Sequence, residues 1–351
     1  MSELTPRHGV RETGVYVSPQ LDVAVRLNTN ECPHPLPDDF TNELAREIQG
    51  LPLHRYPDGG VRRLREKVAE SIGHAVEGTW VANGSNEILT ELLLAYGGPG
   101  RTAMTFEPTY LLHSRLSWLT HTDVVRGALG ERFELGDEQV AAAAEAAPDV
   151  VFVCSPNNPT GNAQPVGAVR ALAGALPGSL VVVDEAYIEF GGETALPLVA
   201  ELPNVAVVRT FSKAFALAGA RIGYLLADPQ VVADVEVVRL PYHVSTLTQA
   251  AGLAALRHRP EALGLLEAIR AQRDRIVATL GGIEGLTVYP SDANFVLFVP
   301  PGDAVAVWQG LLDRGVLVRD LTAVVPNALR VTAGTEHETD LFLHALKEVL
   351  G

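Results

Sequence analysis

Lys213 lies in the run Thr210-Phe211-Ser212-Lys213-Ala214-Phe215-Ala216-Leu217-Ala218-Gly219-Ala220-Arg221-Ile222-Gly223-Tyr224, among hydroxyls and small apolar residues, with Arg221 as the other charge. An amine with an ordinary pKa of about 10.4 becomes a usable nucleophile when burial or nearby cations favour its neutral form. The chemistry this suggests is a Schiff base with a carbonyl compound. A Ser-Lys pair alone is far more often a surface lysine ahead of an amphipathic segment. Two further segments change that balance: Ser155-Pro156-Asn157-Asn158-Pro159-Thr160-Gly161, and Val181-Val182-Val183-Asp184-Glu185-Ala186-Tyr187 between it and the lysine.

The elements that must position these residues are legible as alternating short apolar runs and longer helical patterns. Strands are expected at 149–154, 180–184 and 204–209, with a helix at 166–176. Apolar runs without alternation are what a sheet covered on both faces requires, so the centre reads as a parallel or mixed α/β sheet. Ligands of open α/β sheets bind at the carboxyl ends of the strands, where all three segments fall. Past residue 245 the pattern changes to a long helical stretch at 248–280, strands at 293–299, 316–319 and 329–332, and a helix at 304–314, which reads as a smaller α+β unit. The expected division is a large domain at 28–245 and a small domain formed by 1–27 and 246–351. The prolines before Pro37 predict an extended amino-terminal arm, which needs a surface to lie against. The Ala-rich run 141–147 reads as helix.

Bulk properties bound the possibilities. The chain has 351 residues, 47% hydrophobic and 20% charged, enough for a large core and two domains. A net charge of −15 argues against nonspecific binding to nucleic acid or to an anionic membrane, so an anionic substrate must be held by particular arginines. The two cysteines, Cys32 and Cys154, suggest neither a zinc site nor a disulfide framework, and read as packing residues in a reducing cytosol. No metal site is expected. The amino end lacks a signal-like apolar core and no apolar run reaches membrane length, so a cytoplasmic location is expected.

The three segments, together with Arg26-Leu27-Asn28-Thr29-Asn30-Glu31, Arg55-Tyr56-Pro57-Asp58, Asn83-Gly84-Ser85-Asn86-Glu87 and Arg239-Leu240-Pro241-Tyr242-His243, resemble the fold-type I pyridoxal-phosphate enzymes of the aspartate aminotransferase superfamily. The resemblance spans about 16–335, and within the superfamily it is nearest to the class II histidinol-phosphate aminotransferase family. It implies a large α/β domain with a mostly parallel central sheet plus a smaller α+β domain, pyridoxal 5'-phosphate as cofactor, and a homodimer with shared active sites.

Carried over motif by motif, the resemblance makes Lys213 the residue that bonds the cofactor covalently and then moves the substrate α-proton. Asp184 would face the pyridine nitrogen and keep the ring protonated. Asn158 and Tyr187 would hydrogen-bond its phenolic oxygen, and Tyr110 would stack on its face. Thr210, Ser212 and Arg221, with backbone amides of Gly84, Ser85 and Asn86 at a helix start, would hold the phosphate. Tyr56 would reach the phosphate in the neighbouring subunit. Arg330 would grip the phosphate of histidinol phosphate in one half-reaction and 2-oxoglutarate in the other, with Arg319 beside it and Tyr16 and Asn30 in the substrate pocket. Asn157 and Thr160 could serve only to build the turn, and Tyr242 and His243 could line the site or be structural.

The activity so implied is transfer of an amino group from L-histidinol phosphate to 2-oxoglutarate, giving imidazole acetol phosphate and glutamate in histidine biosynthesis. Alternatives on the same lysine are an aromatic or broad amino-acid aminotransferase and a decarboxylase of a phosphorylated amino acid. From another class, an α/β protein that binds a phosphometabolite without catalysis would keep the fold and lose the lysine chemistry.

Overall fold

The computed structural model describes residues 4–7 and 9–351. Its centre is a seven-stranded sheet in the order Thr79–Ala82, Gly223–Leu226, Val205–Thr210, Leu180–Asp184, Val150–Cys154, Thr102–Glu107, Asp123–Ala128. All strands run the same way except Gly223–Leu226, which is antiparallel to both its neighbours. This is the mostly parallel sheet expected, and the strands at 150–154, 180–184 and 205–210 fall within a residue of the expected positions.

Why these runs are apolar throughout is visible in how they pack. Successive side chains of a strand point to opposite faces, and both faces are covered. Val151, Val153, Val181, Val183, Val205 and Val207 enter one core cluster, while Val150, Phe152, Val182, Ala206 and Val208 enter the cluster on the other side. Each of the buried valines and the phenylalanine contributes about 1.5–3 kcal/mol. The sheet is therefore a fixed platform from whose carboxyl edge the loops project.

A second, four-stranded antiparallel sheet runs Arg319–Asp320, Leu329–Thr332, Phe295–Val299, Thr287–Val288. Its own core packs the helices Ala304–Asp313 and Glu336–Leu350 and takes in Val25 and Leu27. The expected helix at 248–280 is two helices, Thr246–Arg257 and Arg259–Gly281, which meet at His258. Pro260 in the first turn of the second helix explains the break, since proline suits a helix start and not its interior.

The amino-terminal segment carries a four-residue helix, Val10–Thr13, within its otherwise extended course. It lies on the helix Leu112–Leu119: Arg7 sits over the Trp118 ring at 4.5 Å and Arg115 donates to the Gly14 carbonyl at 2.5 Å. Further on, Val25–Arg26 pairs in parallel with Val316–Leu317, which carries the chain across the second sheet toward residues 27–30.

Candidate active site

The carboxyl edge of the large sheet opens into a cavity of about 300 Å³, whose walls come from the sheet loops on one side and from residues 16–30 and the second sheet on the other. Ser155-Gly161, Asp184-Tyr187 and Thr210-Lys213 all reach it, so the three segments singled out in the sequence do converge.

Lys213 Nζ points into the cavity, donates to the Thr29 carbonyl at 3.0 Å and lies 5.8 Å from the centre of the Tyr187 ring. Burial, reinforced by the Arg330 and Arg221 charges and partly opposed by Glu31, lowers its pKa to about 8. About a tenth of the amine is then neutral at pH 7, against a few parts in ten thousand for an ordinary lysine. The environment that the sequence suggested for an activated amine is present.

Asp184, 2% exposed, ends its strand with one carboxylate oxygen accepting from the Ala186 amide at 3.2 Å and the other 3.2 Å from His113 Nε2. His113 is fully buried and stacks on Phe152 at 4.7 Å. Sequence reasoning missed His113, which lies in the helix Leu112–Leu119 with no motif around it. The signal that could have found it is its spacing, one helical turn after Tyr110. Tyr110 lies edge-on to His113 and donates to Asn86 Oδ1 at 3.3 Å.

A second corner gathers hydrogen-bond donors. Thr210 Oγ1 donates to Ser212 Oγ at 3.0 Å, and Arg221 Nη1 donates to Ser212 Oγ at 3.2 Å and to the Ala218 carbonyl at 3.1 Å. Facing them is the start of the helix Ser85–Tyr96, preceded by Gly84 at φ +94°. A Cβ on Gly84 would meet Arg221 Nη2 at 2.6 Å, and one on Gly223 would meet the Ser85 nitrogen at 2.3 Å. Glycine at both positions is what lets the turn and the arginine approach each other. Hydroxyls, a guanidinium and a helix amino end make an anion cradle.

Arg330 occupies the opposite wall. It is buried, donates to Asn158 Oδ1 at 2.5 Å and to the Asn28 carbonyl at 3.0 Å, and lies 4.9 Å from the Phe295 ring. Its Nε is buried without a partner, no carboxylate pairs with it among the described residues, and burial lowers its pKa to about 10. A buried cation so placed favours an anionic ligand. Arg319 donates to Ser18 Oγ at 3.2 Å, and Tyr16 completes this rim.

Asn30 lines the cavity at φ +55°, with its side chain already committed: Nδ2 donates to the Tyr187 hydroxyl at 3.0 Å and Oδ1 accepts from Thr332 at 3.1 Å. It orients Tyr187, whose pKa is raised by burial. Asn157 donates to Thr160 Oγ1 at 2.7 Å and to the Pro108 carbonyl at 2.8 Å, a bonding pattern that ties the 155–161 turn to the neighbouring loop. Tyr56 stands apart from its own chain's cavity, 80% exposed and stacked on Tyr242 at 4.4 Å. Cys154 is buried at the cavity floor and Cys32 is partly buried, both free.

Histidinol-phosphate aminotransferases of Mycobacterium avium (strain 104) and Streptomyces avermitilis are each 48% identical to this chain, the first over 98% of the chain and 88% of that protein, the second over 99% and 97%. Among solved structures, that of histidinol-phosphate aminotransferase from Sinorhizobium meliloti in complex with pyridoxal-5'-phosphate superposes with a TM-score of 0.89 at 25% identity, covering 99% of this chain and 98% of the other. The family model for aminotransferase class I and II matches residues 22–346, and the chain belongs to that family.

Proposed function

We propose that the protein is a pyridoxal-phosphate-dependent aminotransferase that moves the amino group of L-histidinol phosphate to 2-oxoglutarate, a step of histidine biosynthesis. The observation that carries this reading is Lys213: a cavity-facing amine whose pKa is brought down to about 8, held between a buried carboxylate on one side and an anion cradle on the other. Near full-length similarity to histidinol-phosphate aminotransferases supports the choice of substrate.

The residues fit the cofactor. The cradle of Thr210, Ser212, Arg221 and the helix start at Ser85 suits a phosphate, and the close approach allowed by Gly84 and Gly223 leaves no room there for a side chain. Asp184 suits a protonated ring nitrogen, Tyr110 a ring face, and Asn158 and Tyr187 a phenolic oxygen. When bound, pyridoxal phosphate supplies an electron sink for the charge left when the substrate α-proton departs.

The remaining work falls to the chain's own groups. Lys213 would hold the cofactor through its aldehyde carbon, and its Nζ, whose pKa of about 8 suits proton transfer near neutral pH, would carry the proton from the substrate α-carbon to the cofactor. Asp184, fixed by the Ala186 amide and His113, keeps its charge directed at the ring. Arg330 grips the phosphate of histidinol phosphate and then a carboxylate of 2-oxoglutarate, Arg319 and Tyr16 close the outer rim, and Asn30 positions Tyr187. Asn158, touching Arg330, links occupancy of the substrate end to the cofactor end.

The reading extends to assembly. Tyr56 and Tyr242 form an exposed aromatic pair outside their own cavity, which suits a homodimer in which Tyr56 reaches the partner's cofactor phosphate. The proposed division is 28–245 against 1–27 with 246–351. Among the described residues no helix is long and apolar enough to cross a membrane, and the proposed location is the cytoplasm.

The test is a half-reaction. The cofactor-loaded protein is mixed with histidinol phosphate without acceptor, and the bound cofactor's absorption band should bleach. Phenylalanine and threonine phosphate should react far more slowly. No bleaching with histidinol phosphate overturns the substrate assignment, and no absorption band at all overturns the enzyme.

A further inference from the structure

Between the helix Ser85–Tyr96 and the edge strand Thr79–Ala82, whose Trp80 and Val81 bond to it, lies a cluster that the proposed reaction does not use. Glu87 and Glu91 stand one turn apart on that helix, and His243 comes from the loop that follows the helix Pro229–Val238. One oxygen from each carboxylate and one ring nitrogen of His243 all lie within 4.8 Å of one another.

The second coordination layer is in place. The His243 Nε2 position faces the Val81 carbonyl at 2.9 Å and must donate to it, which leaves Nδ1 as the free lone pair of a neutral imidazole; that atom is buried and has no partner. Glu91, 3% exposed, has Oε2 accepting from Trp80 Nε1 at 2.9 Å, while Oε1 is buried and has no partner. Glu87 has Oε2 accepting from the Asn83 amide at 2.5 Å. His243 and Glu91 are thus each oriented through one atom and offer another that is buried and unpartnered, the arrangement by which outer partners fix metal ligands. The Trp80 ring, stacked on His243 at 5.0 Å, fixes the imidazole plane. A buried carboxylate oxygen without a donor is costly unless something positive meets it. Arg239, whose guanidinium lies 5.9 Å from the Trp80 ring, makes no ion pair with either glutamate.

We propose that Glu87, Glu91 and His243 form a binding site for a divalent first-row transition-metal ion of the zinc class. Two carboxylates and one imidazole match its borderline preference, and a water would complete four-coordination. The site ties the turn at Asn83, and hence the helix start at Ser85, to the loop carrying Tyr242. Its role is structural support of the cradle rather than the chemistry of transfer.

The test uses untagged, cofactor-loaded protein freed of metal by chelator and dialysis, then titrated with Co²⁺ as a spectroscopic stand-in for Zn²⁺. One Co²⁺ per chain should bind with visible absorption bands of a low-symmetry four-coordinate site, Zn²⁺ should displace it, and Mg²⁺ should not. Glu91→Gln and His243→Gln should each weaken binding at least tenfold while keeping the far-UV spectrum and the cofactor band. The two free cysteines and the cofactor can also take metal, and binding unchanged in both variants would assign the ion to one of them and overturn the proposal. Absence of Co²⁺ bands overturns it as well. If either variant fails to fold, crystals of the wild type grown with Zn²⁺ decide: an anomalous peak between the three side chains supports the site and its absence removes it.

Discussion

At the sheet end of the cavity Asp184 and the fully buried His113 are locked by stacking on Phe152 and by hydrogen bonds from both sides, whereas at the arm end Tyr16 is 42% exposed and the Arg319 side chain donates to Val17 and Ser18 of the arm itself. The first region inherits the rigidity of strands buried on both faces. The second is a rim assembled from a segment with little core of its own. In the proposed reaction, chemistry that must not vary is mounted on the platform, and the contacts proposed to select the substrate are mounted on the part of the fold most tolerant of change.

If that contrast is right, substitutions at the sheet end should abolish turnover and those at the rim should retune it. Lys213→Ala should lower transamination by at least about 10⁴-fold with the fold intact, because covalent and proton-transfer roles vanish together. Single-turnover kinetics with histidinol phosphate, alongside borohydride fixation of the cofactor, measure it. Next comes Asp184→Asn, expected to cost about 10²–10³-fold in kcat with a small change in KM, since a neutral amide no longer favours the protonated ring. His113→Phe keeps the stack on Phe152 and should cost less, about tenfold. Equal losses in the two variants would mean that the histidine takes part directly.

Arg330 sits between the two regions and sharpens the comparison. Arg330→Met should raise KM for both histidinol phosphate and 2-oxoglutarate by about 10²-fold, as a desolvated charged grip is lost. The same change removes a buried cation that has no carboxylate partner among the described residues, so the ligand-free protein should melt at an equal or higher temperature. A lower melting temperature would show that its bonds to Asn158 and Asn28 outweigh the burial of charge.

How much of this was legible in the sequence follows the same divide. Strand ends and the motifs on them were readable because a doubly covered strand shows as an unbroken apolar run and its carboxyl end carries the polar loop. Asp184, Asn158 and Lys213, which line the cavity, were singled out in that way. His113 was not, because its partner is 71 positions away and its helix shows nothing but ordinary packing residues. Asn30, read as a substrate-pocket residue, lines the cavity, and the sequence did not show that its amide also bonds Tyr187 and Thr332. The break at His258 was written in Pro260 but hidden by helical periodicity on both sides. Glu87 and Glu91 have helical spacing in the sequence; nothing in the chain order brings His243 to them.

The activated amine gives a smaller, graded effect. Below pH 8 the lowered pKa of Lys213 means that its neutral fraction falls about tenfold for each unit of pH, and above pH 8 it levels off. The rate at which cofactor-free protein captures pyridoxal phosphate, followed by absorption, should rise with pH from 6 to about 8 and then flatten. A continued rise to pH 10 would place Lys213 in water rather than in the buried setting described.

The smallest effects belong to the rim. Arg319→Lys and Tyr16→Phe each keep most of the side chain's bulk and remove one directed contact, the planar fork in the first and the hydroxyl in the second. Each should change KM for histidinol phosphate by about three- to tenfold, leave KM for 2-oxoglutarate less affected, and leave kcat near the wild-type value, because neither residue touches Lys213 or Asp184. The split follows from the proposed placement, in which Arg330 would serve both substrates and the rim would meet only what projects outward past it. Should either variant lower kcat as strongly as Asp184→Asn does, the arm would be part of the catalytic platform and the division between the two ends of the cavity would fail.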